Sequence, residues 1–258
     1  MKKAILILLY APLFVLQGQI PIAIERGEVY DPVWVTRGLN RRHIWSSPVA
    51  SQSTIDVRQP WRMCALSYQA AASLLKNMRG VCRFLMIGVG GGSFFHAVRR
   101  HWPDAELVGI EKDRGMINIA RKHFGLPDNV RVFVEDAEPI IAEFRGKERF
   151  DFVFVDVFDG LYPPDIFMQE QTIRAISECL NLDGALCMNT VRRHAWDKKH
   201  RELRSAFAST FKHTGEAVSG EGRTLPVLPH NVVLVGTNAA GIVRGPFREI
   251  PKEERYLA

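Results

Sequence analysis

Residues 83–95 read Arg-Phe-Leu-Met-Ile-Gly-Val-Gly-Gly-Gly-Ser-Phe-Phe, and these residue types suit the binding of a nucleoside. Without Cβ atoms, Gly88, Gly90, Gly91 and Gly92 permit a tight turn and let a ligand lie against bare backbone. A glycine turn alone fits a ligand-free connection equally well. Glu111, 23 residues after Gly88, shifts the balance. A carboxylate at the tip of a second strand can accept both hydroxyl protons of a ribose. The adjoining Lys112 and Asp113 are expected to be solvated charges. Two further carboxylates, Asp136 and Asp156, also follow apolar runs.

The elements that would position these groups follow from apolar periodicity. Residues 84–87 form an apolar run expected to be a strand buried on both faces. Ser93 is expected to cap a helix with Phe94, Phe95, Ala97 and Val98 on its buried stripe. Strands are then expected at 106–110, 129–134, 150–155, 184–191 and 231–236. Helices are expected between them, at 113–125, 139–144, 166–180 and 198–211, after an earlier helix at 66–78. This alternation predicts an α/β fold with a doubly wound, mostly parallel sheet. Ligands of such sheets sit beyond the carboxyl ends of the strands, so Gly88, Glu111, Asp136 and Asp156 are expected to converge on one crevice.

Residues 20–57 instead show β-like runs broken by turn signals, predicting a small N-terminal antiparallel β domain. The expected division is an apolar leader at 1–19, a β-hairpin domain at 20–58, a nucleoside-binding domain at 59–240 and a tail at 241–258. Lys2 and Lys3 precede an apolar run over residues 4–16, interrupted by Pro12. A signal peptide and a weak membrane anchor both fit that pattern, although the run is short for a membrane-spanning helix and lacks an evident cleavage site.

The 258 residues contain 47% hydrophobic and 24% charged types, which excludes a disordered chain. The net charge of +6 is a spread-out excess with small clusters at 37–42, 192–194 and 198–201, so nucleic acid is not an expected partner. Cys64, Cys82, Cys179 and Cys187 have no C-x-x-C spacing and stand in apolar contexts suited to small buried residues. They predict neither a zinc site nor a disulfide framework, and fit a reducing, cytoplasmic compartment.

Taken together, Gly88-Val89-Gly90-Gly91-Gly92, Glu111, Asp136-Ala137 and Asp156-Val157-Phe158-Asp159 resemble the polyamine aminopropyltransferase (spermidine synthase-like) family, within the class I fold that binds S-adenosylmethionine. The hairpin region ending in Gln52-Ser53 is similar to that family's N-terminal domain. The resemblance implies that Glu111 holds the ribose and that Asp136 with Ala137 borders the adenine. Gln52 would touch the nucleoside, with Gly88, Gly90 and Gly92 forming its loop. Asp156 would deprotonate the attacking amine, while Tyr68 and Asp159 would help bind it. The implied co-substrate is S-adenosylmethionine or its decarboxylated form, without a metal. The implied partner is a small-molecule amine, and both a homodimer and weak membrane association through residues 4–16 are compatible with the chain.

Such chemistry suits these residue types. An amine is protonated at neutral pH, so alkyl transfer needs a carboxylate to hold the ammonium and take its proton. A sulfonium supplies its own leaving group, which leaves positioning as the main task. The chain departs from the family at two places. Ser93 stands where an aspartate usually follows the glycines, and Tyr68-Gln69 replaces a Tyr-His pair. Two other readings therefore stand beside the first: a methyltransferase acting on another small molecule or on RNA, and a nucleoside-binding protein without catalysis.

Overall fold

A computed structural model of the chain describes residues 2–47, 50–159, 162–194, 196–219 and 229–250, with side chains left out at 2–8 and 50. The N-terminal helix α1 (Lys2–Leu16) leads into an antiparallel sheet of β1 (Ile20–Glu25), β2 (Val33–Arg37), β3 (Arg41–Ser47) and β4 (Ala50–Asp56), in that order. Residues 28–32 form a bend between β1 and β2, with a cis Asp31–Pro32 bond. Phe14 of α1 is fully buried, with its ring 5.3 Å from that of Trp34 and 5.5 Å from that of Trp45. The neighbouring Leu13, Val15 and Leu16 are exposed, so Phe14 marks the packed edge of this last part of α1. Among the described residues, no helix is long and apolar enough to cross a membrane.

Helix α2 (Leu66–Leu75) then leads to the large sheet, where β5 (Arg83–Ile87), β6 (Glu106–Ile110), β7 (Arg131–Phe133), β8 (Phe150–Val155) and β9 (Leu180–Arg192) run parallel in the order β7-β6-β5-β8-β9. The connecting helices are α3 (Ser93–His101), α4 (Arg114–Phe124), α5 (Ala137–Phe144) and α6 (Glu170–Ser177), the last preceded by a 3-10 turn at Asp165–Met168. Phe84, Phe152 and Phe154 pack with α2 and α3 on one face, and Leu85, Val153 and Val155 with α5 and α6 on the other. Both faces of these strands are thus covered, which is why their sequences are almost continuously apolar.

Beyond β9, α7 (Lys198–Thr210) returns the chain to three antiparallel strands: β10 (His213–Val218), β11 (His230–Thr237) and β12 (Arg248–Glu249). Neither β10 nor β12 follows from the sequence. The run His-Thr-Gly-Glu-Ala-Val breaks the apolar pattern, yet Glu216 is only 5% exposed. Its carboxylate lies 3.4 Å from Arg204 and 3.5 Å from His200, which makes a buried acid tolerable in that strand. Residues 248–249 of the expected tail thus belong to the sheet, while residues 251–258 lie outside the described residues. Of the cysteines, Cys179 and Cys187 are buried as expected. Cys64 is half-buried and Cys82 is exposed, because residue 82 stands in the turn before β5, and all four are free.

The small sheet closes on α4. Val33, Val35, Ile44 and Ile55 form one apolar cluster with Met116, Ile119 and Phe124. Glu25 adds contacts of 2.8 Å to both Lys122 and His123 at the rim.

Candidate functional site

The topological switch lies between β5 and β8, where the chain leaves one strand for each side of the sheet. Here Gly88 adopts φ +83°, and a Cβ on it would stand 2.2 Å from the backbone oxygen of Asp156. Only glycine lets the two strand ends approach so closely. The Asp156 amide donates to the Ile87 carbonyl at 2.8 Å, and the Gly88 amide donates to that of Ile110 at 2.9 Å. Backbone bonds therefore tie three strand tips together beneath a cavity of about 870 Å³. Gln52, Tyr68, Gly88, Gly90, Glu111, Asp136, Ala137 and Asp156 all line it.

Glu111 is held by backbone. Its Oε2 accepts the Gly90 amide and its Oε1 the Asp113 amide, each at 3.1 Å. Burial pushes its carboxyl above the ordinary value, and these amides partly offset the rise. Each oxygen retains acceptor capacity for a second donor, which is what a ribose diol requires. Gly90 itself opens on the cavity, where an added Cβ would meet only the Gln52 carbonyl, at 3.9 Å. These features fit a nucleoside.

Asp156 is held by side chains. The Tyr68 hydroxyl donates to its Oδ2, and Asn189 Nδ2 donates to its Oδ1 at 2.8 Å. Asn189 accepts in turn from Asn231 at 3.2 Å. Burial raises the Asp156 carboxyl above the ordinary carboxylate value, and the Tyr68 and Asn189 bonds pull it back in part. Tyr68 is pushed well above its ordinary value, first by burial and then by the Asp156 charge, so the phenol keeps its proton as a donor. Rings of Phe94 and Phe154 stand edge-on to Tyr68 at 5.8 and 5.3 Å, fixing its direction. The result is a rigid carboxylate of raised basicity at the wall of a nucleoside-sized cavity.

Several expectations at the site need correction. Gly92 does not line the cavity; at φ +69° it is the residue that precedes α3. Ser93 is buried and makes no capping hydrogen bond, because Gly92 holds the cap position. Asp159 is exposed, its amide donates to the Tyr162 carbonyl at 2.8 Å, and its charge acts on Tyr30 of the cavity wall. Asp113 is not a solvated charge but 2% exposed. It caps α4 through the Met116 amide at 3.1 Å and accepts the Glu28 and Val29 amides at 2.9 Å each.

Sequence reasoning missed Asn189, Asn231 and Tyr30. Asn189 sits in the apolar β9 run, and the chance to find it lay in its position at the carboxyl end of that strand. Tyr30 lines the cavity from the small domain, and its hydroxyl donates to the Phe158 carbonyl at 3.2 Å. No cluster of residues that could hold a metal occurs among the described residues.

Comparison with known proteins adds to this geometry. Residues 84–184 match a methyltransferase domain family. The polyamine aminopropyltransferase of Vibrio vulnificus is 29% identical over 151 residues, which cover 57% of this chain and 50% of that protein. The polyamine aminopropyltransferase of Neisseria meningitidis is 28% identical over 219 residues, 82% of this chain and 73% of that one. The chain thus spans half to three-quarters of the length of these relatives. Among solved structures, a probable spermidine synthase from Corynebacterium glutamicum superposes with a TM-score of 0.72, at 18% identity, over 90% of this chain and 92% of that chain. The resemblance drawn from the motifs is borne out, and the fold is that of class I methyltransferases and spermidine synthases.

Proposed function

We propose that the protein transfers an alkyl group, aminopropyl in the first instance, from a sulfonium nucleoside to a small amine. The nucleoside lies across Gly88 and Gly90 with its ribose on Glu111 and its adenine against Asp136 and Ala137. Its sulfonium carbon faces Asp156. The amine nitrogen attacks that carbon, the new C–N bond forms as the C–S bond breaks, and the electron pair leaves on sulfur as a neutral thioether. Asp156 accepts the proton that the amine sheds, and Tyr68 holds the carboxylate in line.

The observation that carries this reading is the Tyr68–Asp156–Asn189 array one residue beyond the strand that pairs with the glycine-loop strand. A second reading, methyl transfer, draws support from the methyltransferase domain match. Single-turnover mass spectrometry with S-adenosylmethionine and its decarboxylated form, against a panel of amines, tests both. Aminopropylated product supports the first reading and methylated product the second. Nucleoside binding with no transfer to any amine would overturn both.

A further inference from the structure

Asp156 and two asparagines form a row whose direction hydrogen-bond chemistry fixes. Phe154 pairs with Cys187 and Val155 with Met188, so the next step of the parallel register sets Asp156 opposite Asn189. On the other side of β9, Asn189 pairs with Val233 and Val191 with Asn231. Paired residues share a face of the sheet, which makes Asn189 and Asn231 diagonal neighbours. The register thus lines up three side chains that lie far apart in the chain. The row runs from an exposed Asn231 through Asn189, only 5% exposed, to the Asp156 carboxylate, and all three line the cavity.

A carboxamide has nearly the same shape either way round, so its partners decide which end points where. An ionised carboxylate only accepts. Asn189 must therefore turn its nitrogen to Asp156 Oδ1, which it meets at 2.8 Å, and its oxygen away. That oxygen receives Asn231 Nδ2 at 3.2 Å. A reversed Asn189 would set its oxygen against Asp156 Oδ1, two acceptors with no proton between them. We infer, building on the proposed function, that Asn231 is a positioning residue for the proton transfer: it holds the Asn189 amide with its donor end toward the base. The Asn189 bond pulls the Asp156 carboxyl down from the value that burial gives, so an unheld Asn189 should let it rise. Two other titratable groups face Asp156: Tyr68 from α2, which donates to it, and Cys187 from β9, whose thiol its charge helps to push up. Glu111 shares the cavity, and Asp159 and Asp165 stand on the chain that follows β8. These groups are the same in every variant below, so a moved titration reports on the amide row.

The test titrates full-length protein, isotope-labelled at the aspartate carboxyl carbons, by NMR. The Asp156 signal is assigned by its loss in Asp156→Asn. Asn231→Leu removes the donor, adds no charge and fills the place of the amide with carbon. The Asp156 midpoint is expected to rise by about 0.5–1 pH unit, as when a charge-assisted bond is held only part of the time. Asn231→Gln keeps a donor and should bring the midpoint back toward its original value. Asn231→Asp puts an acceptor at the same spot and should raise it furthest. An unchanged midpoint in Asn231→Leu would overturn the inference, with or without a lower Tm. So would a rise confined to Asn231→Asp, which added charge alone explains. The titration needs no substrate, so it stands apart from turnover. In protein that transfers an alkyl group, the acid limb of the single-turnover profile should move with the midpoint. A moved midpoint in protein that transfers none counts against the proposed chemistry and leaves the positioning role standing.

Discussion

Glu111 and Asp156 are two buried carboxylates at neighbouring regions of one sheet edge, and they are held in opposite ways. Glu111 takes its donors from backbone amides of the glycine loop and the α4 entrance, which move only if the fold moves. Asp156 takes its donors from Tyr68 and Asn189, side chains supplied by α2 and β9. A backbone cradle gives a fixed acceptor, suited to binding. A side-chain cradle leaves proton affinity adjustable by single substitutions, as a catalytic base requires. Under the proposed function, binding and chemistry fall to these two differently held carboxylates of one cavity.

The largest expected effect tests that division at Asp156. Asp156→Asn retains size and shape, and flipping of the Asn189 and Asn231 amides can restore the hydrogen bonds. Single-turnover transfer is expected to fall about 10²–10⁴-fold, while nucleoside affinity stays within a factor of about two. Equal rates would remove Asp156 from the mechanism. Glu111→Ala should do the converse. It loses one or two charge-assisted bonds to ribose, each on the order of 1.5–3 kcal/mol, which calorimetry with the thioether nucleoside would detect.

A smaller effect is expected at Tyr68. Because its hydroxyl lowers the Asp156 carboxyl from the value that burial alone would give, Tyr68→Phe lets that value rise further. The acid limb of the rate profile should then move to higher pH, with the loss growing as pH falls and little change on the alkaline plateau. A uniform loss at every pH would instead indicate a role in packing alone. The smallest effect is on stability. A carboxylate whose value is raised on folding binds its proton more tightly in the native state, so stability falls as pH rises through the raised value. At neutral pH the unaltered protein therefore carries the cost of a buried charge, and Asp156→Asn should unfold at an equal or higher temperature. A clear drop in Tm would show that the charge is fully satisfied.

Much of the donor half was legible in the sequence because it is written in local signals. A glycine turn after an apolar strand and an acid after the next strand lie within 25 residues or so of each other, and the fold can assemble them in only one way. The acceptor half was harder to read. Asn189 is a polar residue inside a buried strand, and its value depends on Asn231, which reaches it through the antiparallel partner β11. Glu216 hid β10 for the same reason, since its partners come from α7 and β12. Asp113 was misread because its partners, the amides of Glu28 and Val29, lie about 85 residues away. Periodicity reports which face of an element is buried but not which distant group satisfies a buried polar atom.

The Asp113 clamp carries a consequence for how the molecule comes apart. The Asp113 carboxylate caps α4 and receives two amides of the small domain, while the backbone amide of the same residue supports Glu111. Separating the small sheet would leave two of its amides and a buried charge without partners, so the two sheets are expected to melt as one cooperative unit. Asp113→Ala should split that single transition into two, or lower it outright, and calorimetric scans would tell the outcomes apart from an unchanged profile. Because the amide of the same residue supports Glu111, nucleoside bound as proposed should slow hydrogen exchange at Glu28 and Val29, in a domain that shares no strand with the glycine loop.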